Sequence, residues 1–267
     1  MTLVAGAFFG RCGNKLLVRT LFLQAMKEMS NVKEIYQEYL RNIRDNKNSS
    51  RYVGMESYHH SSRAGLCMRK HYYGSVAQVD GKPVDDKTLR IFRIGDLIHT
   101  DIQDAMRWYA DSHALPIFIE KELFIEEYNV RGFIDLALVS DDILFDIKTC
   151  NSWKWRSMFG KKFDPEPTEN YALQLATYGI WYEQEYGALK GMKLLYYNKD
   201  NSDMREIDVP MSAMEKAHNY WTTVMAIAHD VEEPPAVELG TSPVYKWECN
   251  AKYCDYYDVC GGLEGNV

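Results

Sequence analysis

Long apolar runs are missing from this 267-residue chain: no stretch approaches the roughly 18 consecutive apolar residues that cross a bilayer as a helix. The uncharged opening, residues 1–10, lacks the basic region of a secretory signal, so we expect a cytoplasmic protein without membrane contact. An excess of positive charge is missing too. Lys and Arg number 31 against 38 Asp and Glu, a formal net charge of −7. That excludes a surface coated in cations that grips duplex DNA everywhere, and confines any nucleic-acid contact to local patches. There is no internal repeat, which argues against a solenoid or propeller. Nor do the cysteines form the close pairs, often two residues apart, of ordinary structural zinc sites. Six cysteines in a long chain with no export signal still favour metal or cluster ligation over a disulfide framework.

What is present is enough apolar content, 46%, to fill the core of one large α/β domain with or without an appendage. Leu23, Met26, Met29, Val32, Ile35, Tyr36, Leu40 and Ile43 recur at three and four spacing, predicting an amphipathic helix over 16–43 and a polar linker over 44–51. Residues 1–50 thus read as an N-terminal helical extension, partly untranslated if synthesis starts at Met26 or Met29, ahead of a main domain over 51–267. A helix is predicted over 89–109, with Gly95 and His99 one turn apart on one face. Three β-rich runs, 117–125, 130–139 and 143–149, follow as a meander. A helix over 168–186, strands over 192–198 and 205–209, and a helix over 211–230 complete a mixed α/β or α+β order. The tail from Trp247 has no apolar period, so something other than a hydrophobic core should hold it.

Asp146 and Lys148 are two residues apart on a strand and project from one face, while Ile143, Phe145 and Ile147 project from the other into the core. On the preceding strand Phe133, Asp135 and Ala137 share a face, and Gly132 leaves space for a ligand backbone. Asp135 and Asp146 on neighbouring strands would suit Mg²⁺ or Mn²⁺, which prefer hard oxygen ligands. His99 could complete the sphere, and Lys148 could position or stabilise a nucleophile. The alternative is a surface Asp146–Lys148 ion pair with a solvated Asp135 and a helix-packed His99. Glu120 and Glu122 share a face of the first strand; Glu122 is the one expected to add a ligand, unless it is a solvated edge glutamate.

Gly95-x-x-x-His99, Gly132-x-Ile134-Asp135, Asp146-Ile147-Lys148 and Gln174-x-x-x-Tyr178, in this order, resemble the RecB-type branch of the PD-(D/E)XK nuclease superfamily. The resemblance implies a restriction-endonuclease-like mixed sheet core flanked by helices. It further implies His99, Asp135, Asp146 and the Ile147 carbonyl as metal ligands, Lys148 as the catalytic lysine, and Gln174 and Tyr178 beside the active site. Ordinary helix packing is the alternative for the last two. Cys67 far upstream, with Cys249, Cys254 and Cys260 spaced C-x4-C-x5-C, resembles the iron–sulfur nucleases: CRISPR adaptation nucleases, a subunit of bacterial repair nucleases and related viral exonucleases. That implies a 4Fe–4S cluster clasping the start of the nuclease domain to its end, with zinc as the alternative. The chain departs from those families in having Met68 where proline is common and a four-residue first gap in the trio. Cys150 and Cys12 fall outside the set.

Trp153, Lys154, Trp155, Arg156, Lys161 and Lys162 interleave aromatic and basic side chains as a single-strand groove would, or form a helix packed on the domain. Arg69, with Arg63 and Lys70, could line the approach of DNA. The expected function is a metal-dependent DNA nuclease, an exonuclease on single strands or DNA ends. Its setting would be recombination, repair, phage DNA metabolism or CRISPR spacer processing, with proteins of those processes as partners. An inactive DNA-binding module and a zinc-stabilised subunit of a larger complex are the alternatives.

Overall fold

The computed structural model describes residues 31–51, 57–161 and 168–263. Met26, Met29, Cys12 and Lys162 lie outside the described residues. The chain divides into two units, residues 1–51 and 52–267. Within the first, helix α1 (Val32–Arg51) runs straight through the stretch expected to be a linker. Residues 44–51 contain no Gly or Pro to stop a helix, and Asn46 Nδ2 donates to Asn42 Oδ1 one turn back at 2.9 Å.

The second unit is mixed α/β, built on a six-stranded sheet: β1 (His59–His60), β2 (Ile117–Ile125), β3 (Val130–Leu138), β4 (Ile143–Cys150), β5 (Gly191–Asn198) and β6 (Met204–Val209). Helices α2 (Met68–His71), α3 (Asp86–His113), α4 (Ser152–Phe159), α5 (Glu169–Tyr186), α6 (Ala213–Ile227) and α7 (Tyr257–Cys260) are distributed around it. β2, β3 and β4 form the antiparallel meander, in which Asn129 supplies the left-handed residue (φ 49°) that turns the chain between β2 and β3. α4 and α5 then carry the chain over to β5, which lies parallel to β4 from Ile143↔Gly191 to Cys150↔Asn198.

β3 changes partners partway. β2 follows it along one edge. On the other edge β4 pairs only with Leu136, Ala137 and Leu138, and β1 only with Val130 and Arg131. Residues 132–135 between them therefore face a fork rather than a strand.

The main core lies between this sheet and the two long helices α5 and α6. Leu123, Ile134, Leu144, Leu194, Leu175 and Trp221 belong to it, and the Trp221 indole donates to Thr177 Oγ1 at 2.8 Å. Leu144 and Cys150 belong to this cluster, and they lie on the same β4 face as Asp146 and Lys148. The expectation that only Ile143, Phe145 and Ile147 would point inward is thus corrected: β4 is a central strand covered on both faces, and Asp146 is as buried as Ile147.

Among the described residues no helix is long and apolar enough to cross a membrane.

Candidate active site

The site forms at the fork. Carried one step past Leu136↔Phe145, the β3–β4 register would set Asp135 opposite Asp146. The strands part there instead, and the Asp135 carboxylate takes the place of a strand partner, with Oδ2 accepting from the Ile147 amide at 2.8 Å. A strand residue's N–H and C=O point to the same edge, so the Ile147 carbonyl faces this opening as well. α3 brings the imidazole: His99 Nδ1 lies 3.6 Å from Asp135 Oδ2. Its helix comes close to β4 because Gly95 has no side chain, and an added Cβ would sit 3.3 Å from Thr149 Oγ1.

Lys148, itself half-buried, pairs with the fully buried Asp146, Nζ to Oδ2 at 2.7 Å. The same ammonium donates to Gln174 Oε1 at 3.0 Å, and Gln174 Nε2 donates to the Tyr178 hydroxyl at 2.6 Å. The i, i+4 spacing on α5 aligns Gln174 and Tyr178 along one line. Gln174 is thus brought to Lys148, and Tyr178 to Gln174. Gly132 is not an opening for a ligand: a Cβ there would collide with Ser61 Oγ and approach Tyr178 within 3.4 Å, so the glycine makes room for the chain's own packing.

Electrostatics mark Asp146. Burial pushes its carboxyl up to about 6, with Lys148 pulling against the shift and Asp135 adding to it. Its Oδ1 is buried without a hydrogen-bond partner, a costly state for a carboxylate unless a ligand meets it. Burial alone would lower the Lys148 ammonium, but Asp146 and Asp135 outweigh it, and the net shift is upward. Burial and the Lys148 charge pull His99 below the ordinary imidazole range, which leaves a nitrogen lone pair available to a cation. Hard carboxylate oxygens, a neutral imidazole and an unsatisfied buried acceptor fit Mg²⁺ or Mn²⁺. The donors are not drawn into a closed cage: among the described residues no three His, Cys, Asp or Glu side chains converge closely enough to hold a metal ion.

Sequence reading missed Gln103. It continues the Gly95–His99 line by one more turn, is buried, and donates from Nε2 to both Glu120 Oε1 and the Asp135 carbonyl at 3.0 Å. Glu120 has left-handed backbone (φ 53°), and the β2–β3 ladder skips the Glu120–Asp135 pair. Of the two β2 glutamates, Glu120 therefore borders the site. Glu122, the expected extra ligand, is turned to Arg131, whose Nε donates to it at 2.7 Å.

The aromatic and basic run lies in α4 as far as Phe159, with Lys161 just beyond it. Trp155 packs edge-on to Phe159 and against the main core, whereas Trp153 is 70% exposed. Arg156 and Lys161 are exposed, and Lys154 reaches the Tyr171 hydroxyl at 3.0 Å. The Arg69 guanidinium donates to the Pro235 carbonyl and the Tyr73 hydroxyl.

Cys67, Cys249, Cys254 and Cys260 line one pocket, together with Arg69 and Lys70. None of the five described cysteines is disulfide-bonded. Glu248, buried, also lines the pocket, accepting from the Cys67 amide at 3.0 Å and facing Lys70 Nζ at 3.5 Å. The Leu263 amide donates to Cys249 Sγ at 3.1 Å. Burial, with Glu248 adding to it, pushes the Cys67 thiol up to about 12. Burial thus favours the neutral thiol, and among the described residues these four cysteines share a pocket without converging closely enough to hold a metal ion. Cys150 lies instead in the main core.

No protein-family model matches the sequence, and no curated protein matches it. Among solved structures, the crystal structure of SSO0001 is similar at TM-score 0.52 and 18% identity, over 86% of this chain and 96% of that one. The two share a fold. An alkaline exonuclease from Laribacter hongkongensis is similar at TM-score 0.38 and 14% identity, over 66% of this chain and 89% of that one. A protein described as an exonuclease from Eubacterium rectale is similar at TM-score 0.47 and 12% identity, over 67% and 83%.

Proposed function

We propose that this chain is a divalent-metal-dependent deoxyribonuclease of the PD-(D/E)XK type, acting on single-stranded DNA or DNA ends. The observation that carries the reading is Asp146: a fully buried carboxylate with one oxygen unpartnered, paired on the other with Lys148 and facing Asp135 across a fork in the sheet. Asp135, Asp146, His99 and the Ile147 carbonyl would hold Mg²⁺ or Mn²⁺, which when bound polarises a phosphodiester and acidifies water. Lys148 remains an ammonium and stabilises charge developing on the phosphate. Gln174 and Tyr178 fix its direction, which limits reorganisation during the reaction. The exposed Trp153 ring and the cations of α4 suit an unpaired strand, whose bases offer stacking faces.

The four-cysteine pocket supports a 4Fe–4S cluster as a structural clasp, through Cys67, Cys249, Cys254 and Cys260. Recombination, repair, phage DNA metabolism and CRISPR spacer processing are the settings in which such an activity would serve.

The test is incubation of single strands labelled at either end with Mg²⁺ or Mn²⁺, with EDTA as control. Lys148→Ala should lower cleavage by about 10²–10³-fold while strand binding persists. Asp146→Ala should abolish Mn²⁺ binding measured by calorimetry. Undiminished cleavage in Lys148→Ala would overturn the assignment, and strand binding without any cleavage by the unaltered protein would make it a DNA-binding module instead.

A further inference from the structure

The Tyr171 ring collects two ammoniums. Lys148 Nζ lies 4.8 Å from its centroid and Lys154 Nζ 4.4 Å. Lys154 also donates to the Tyr171 hydroxyl at 3.0 Å. Like charges gathered on one side chain repel, and the electrons of a single ring offset that only in part. Lys148 has Asp146 as its counter-ion. Lys154 has none: among the described residues its ammonium meets no carboxylate, only the neutral hydroxyl of Tyr171. That hydroxyl already accepts from Lys154, so its own proton is left to donate, and no acceptor for it is found among the described residues. Among the described residues, the corner beside these carboxylates is thus made of donors alone.

Both donors are held by the fold. Lys154 stands in the first turn of α4, where the Asn151 side chain caps its amide at 2.8 Å and Asp200 accepts from the Ser152 amide at 2.8 Å. These two contacts occupy the start of the helix, so the free positive charge of the corner is the Lys154 side chain itself. Tyr171 stands on α5 one turn before Gln174, on the line that leads through Gln174 to Tyr178. Lys148 and Lys154 are therefore both held close to the ring of one helical residue.

We propose that Lys154 and Tyr171 form a second phosphate-binding position, which holds the backbone phosphate next to the one being cut. The inference rests on the nuclease reading above. A phosphodiester oxygen accepts from both the ammonium and the phenol, supplies a counter-ion to Lys154, and fixes the register of the strand relative to Lys148. Ground state and transition state would use this contact alike, so its loss should raise KM and leave kcat nearly unchanged.

The experiment measures single-strand affinity against salt in EDTA, where nothing is cut, and cleavage of strands carrying one neutral methylphosphonate linkage. Lys154→Met should weaken binding about tenfold and reduce the slope of log affinity against log salt by about 0.7, the share of one single-strand phosphate contact. Lys154→Arg should restore the slope. Tyr171→Phe keeps the ring and its charge balance, so it should raise KM without changing the slope. A methylphosphonate beside the cut linkage should slow the unaltered protein and add nothing to the defect of Lys154→Met. An unchanged slope in Lys154→Met, or effects that multiply at every linkage, would overturn the second position while leaving the nuclease reading in place. An unaltered protein that neither binds nor cuts these strands would overturn the nuclease reading, and this inference with it.

Discussion

Asp146 and Lys148 show how far single residues could be read. Their two-residue spacing placed them together on a strand, and they are together, 2.7 Å apart. Their burial could not be read, because it depends on α5 closing over β4 from beyond the meander. Gln103 was hidden for a related reason: one polar residue in a 28-residue helix resembles a solvated one until its neighbours are known. The i+4 step from His99 was the available signal. α4 shows the reverse case, since interleaved Trp and Lys residues suit a groove and a packed helix equally. The structure divides the two tryptophans, and the division sets an expectation. Trp153→Ala should weaken single-strand affinity by about 1–3 kcal/mol if a base stacks on the exposed ring. Trp155→Ala should instead lower stability by about 3–5 kcal/mol, or less where its partial exposure leaves the site room to relax. Fluorescence anisotropy with a labelled strand and urea unfolding separate the two outcomes, and an unaltered affinity in Trp153→Ala would remove that ring from the interface.

At the scale of elements, the meander, the long helices and β5–β6 were legible because each carries its own period and is bounded by turn residues. Residues 57–85 were not, because almost nothing local organises them. β1 exists through pairing of His59 and His60 with Val130 and Arg131, and the segment after α2 is held by Tyr72 and Tyr73 packing with Tyr256 from the far end of the chain. The tail is ordered through the same contacts around the cysteine pocket, where the sequence had shown only that a hydrophobic core would not suffice. If the pocket holds a 4Fe–4S cluster, protein prepared without oxygen should be brown and contain about four iron and four sulfide per chain. Serine at Cys67, Cys249, Cys254 or Cys260 should bleach it, while Cys150→Ser should keep the colour, since Cys150 sits in the main core. Stoichiometric zinc, or full colour in Cys67→Ser, would show the ligand set to be wrong.

Across the whole molecule, acid stability depends on buried histidines. His59 and His71 are fully buried, edge to face with each other at 5.0 Å between centroids and close to Trp221. Burial, with His229 and Arg63 adding to it, lowers His59 to about 3; burial, then His59 and Arg63, lowers His71 well below its ordinary value. Both folded values lie beneath the unfolded one near 6.5, so the unfolded chain binds protons first as pH falls. The stability contributed by neutral histidines is therefore complete above about pH 6.5 and is lost towards pH 3, at up to about 1.4 kcal/mol per pH unit for each. Asp146 runs the other way, because its raised carboxyl is relieved by protonation below about 6, but it stands against His59, His71 and also His60, which burial lowers to about 4. Urea midpoints measured from pH 7.5 to 5 should fall; a flat profile would mean that these histidines ionise without disturbing the fold.

The fork in the sheet leaves one main-chain amide, that of Ile147, bonded to the carboxylate of Asp135 instead of to a neighbouring strand. Its proton consequently senses the charge and direction of that single side chain, which a strand amide shielded by its ladder does not. Anything that draws Asp135 away, whether a cation, a change of protonation or a substitution, registers first as a shift of the Ile147 amide resonance and a faster exchange of its hydrogen. The backbone thus holds a gauge of its own active site, one that can be read without substrate and without turnover.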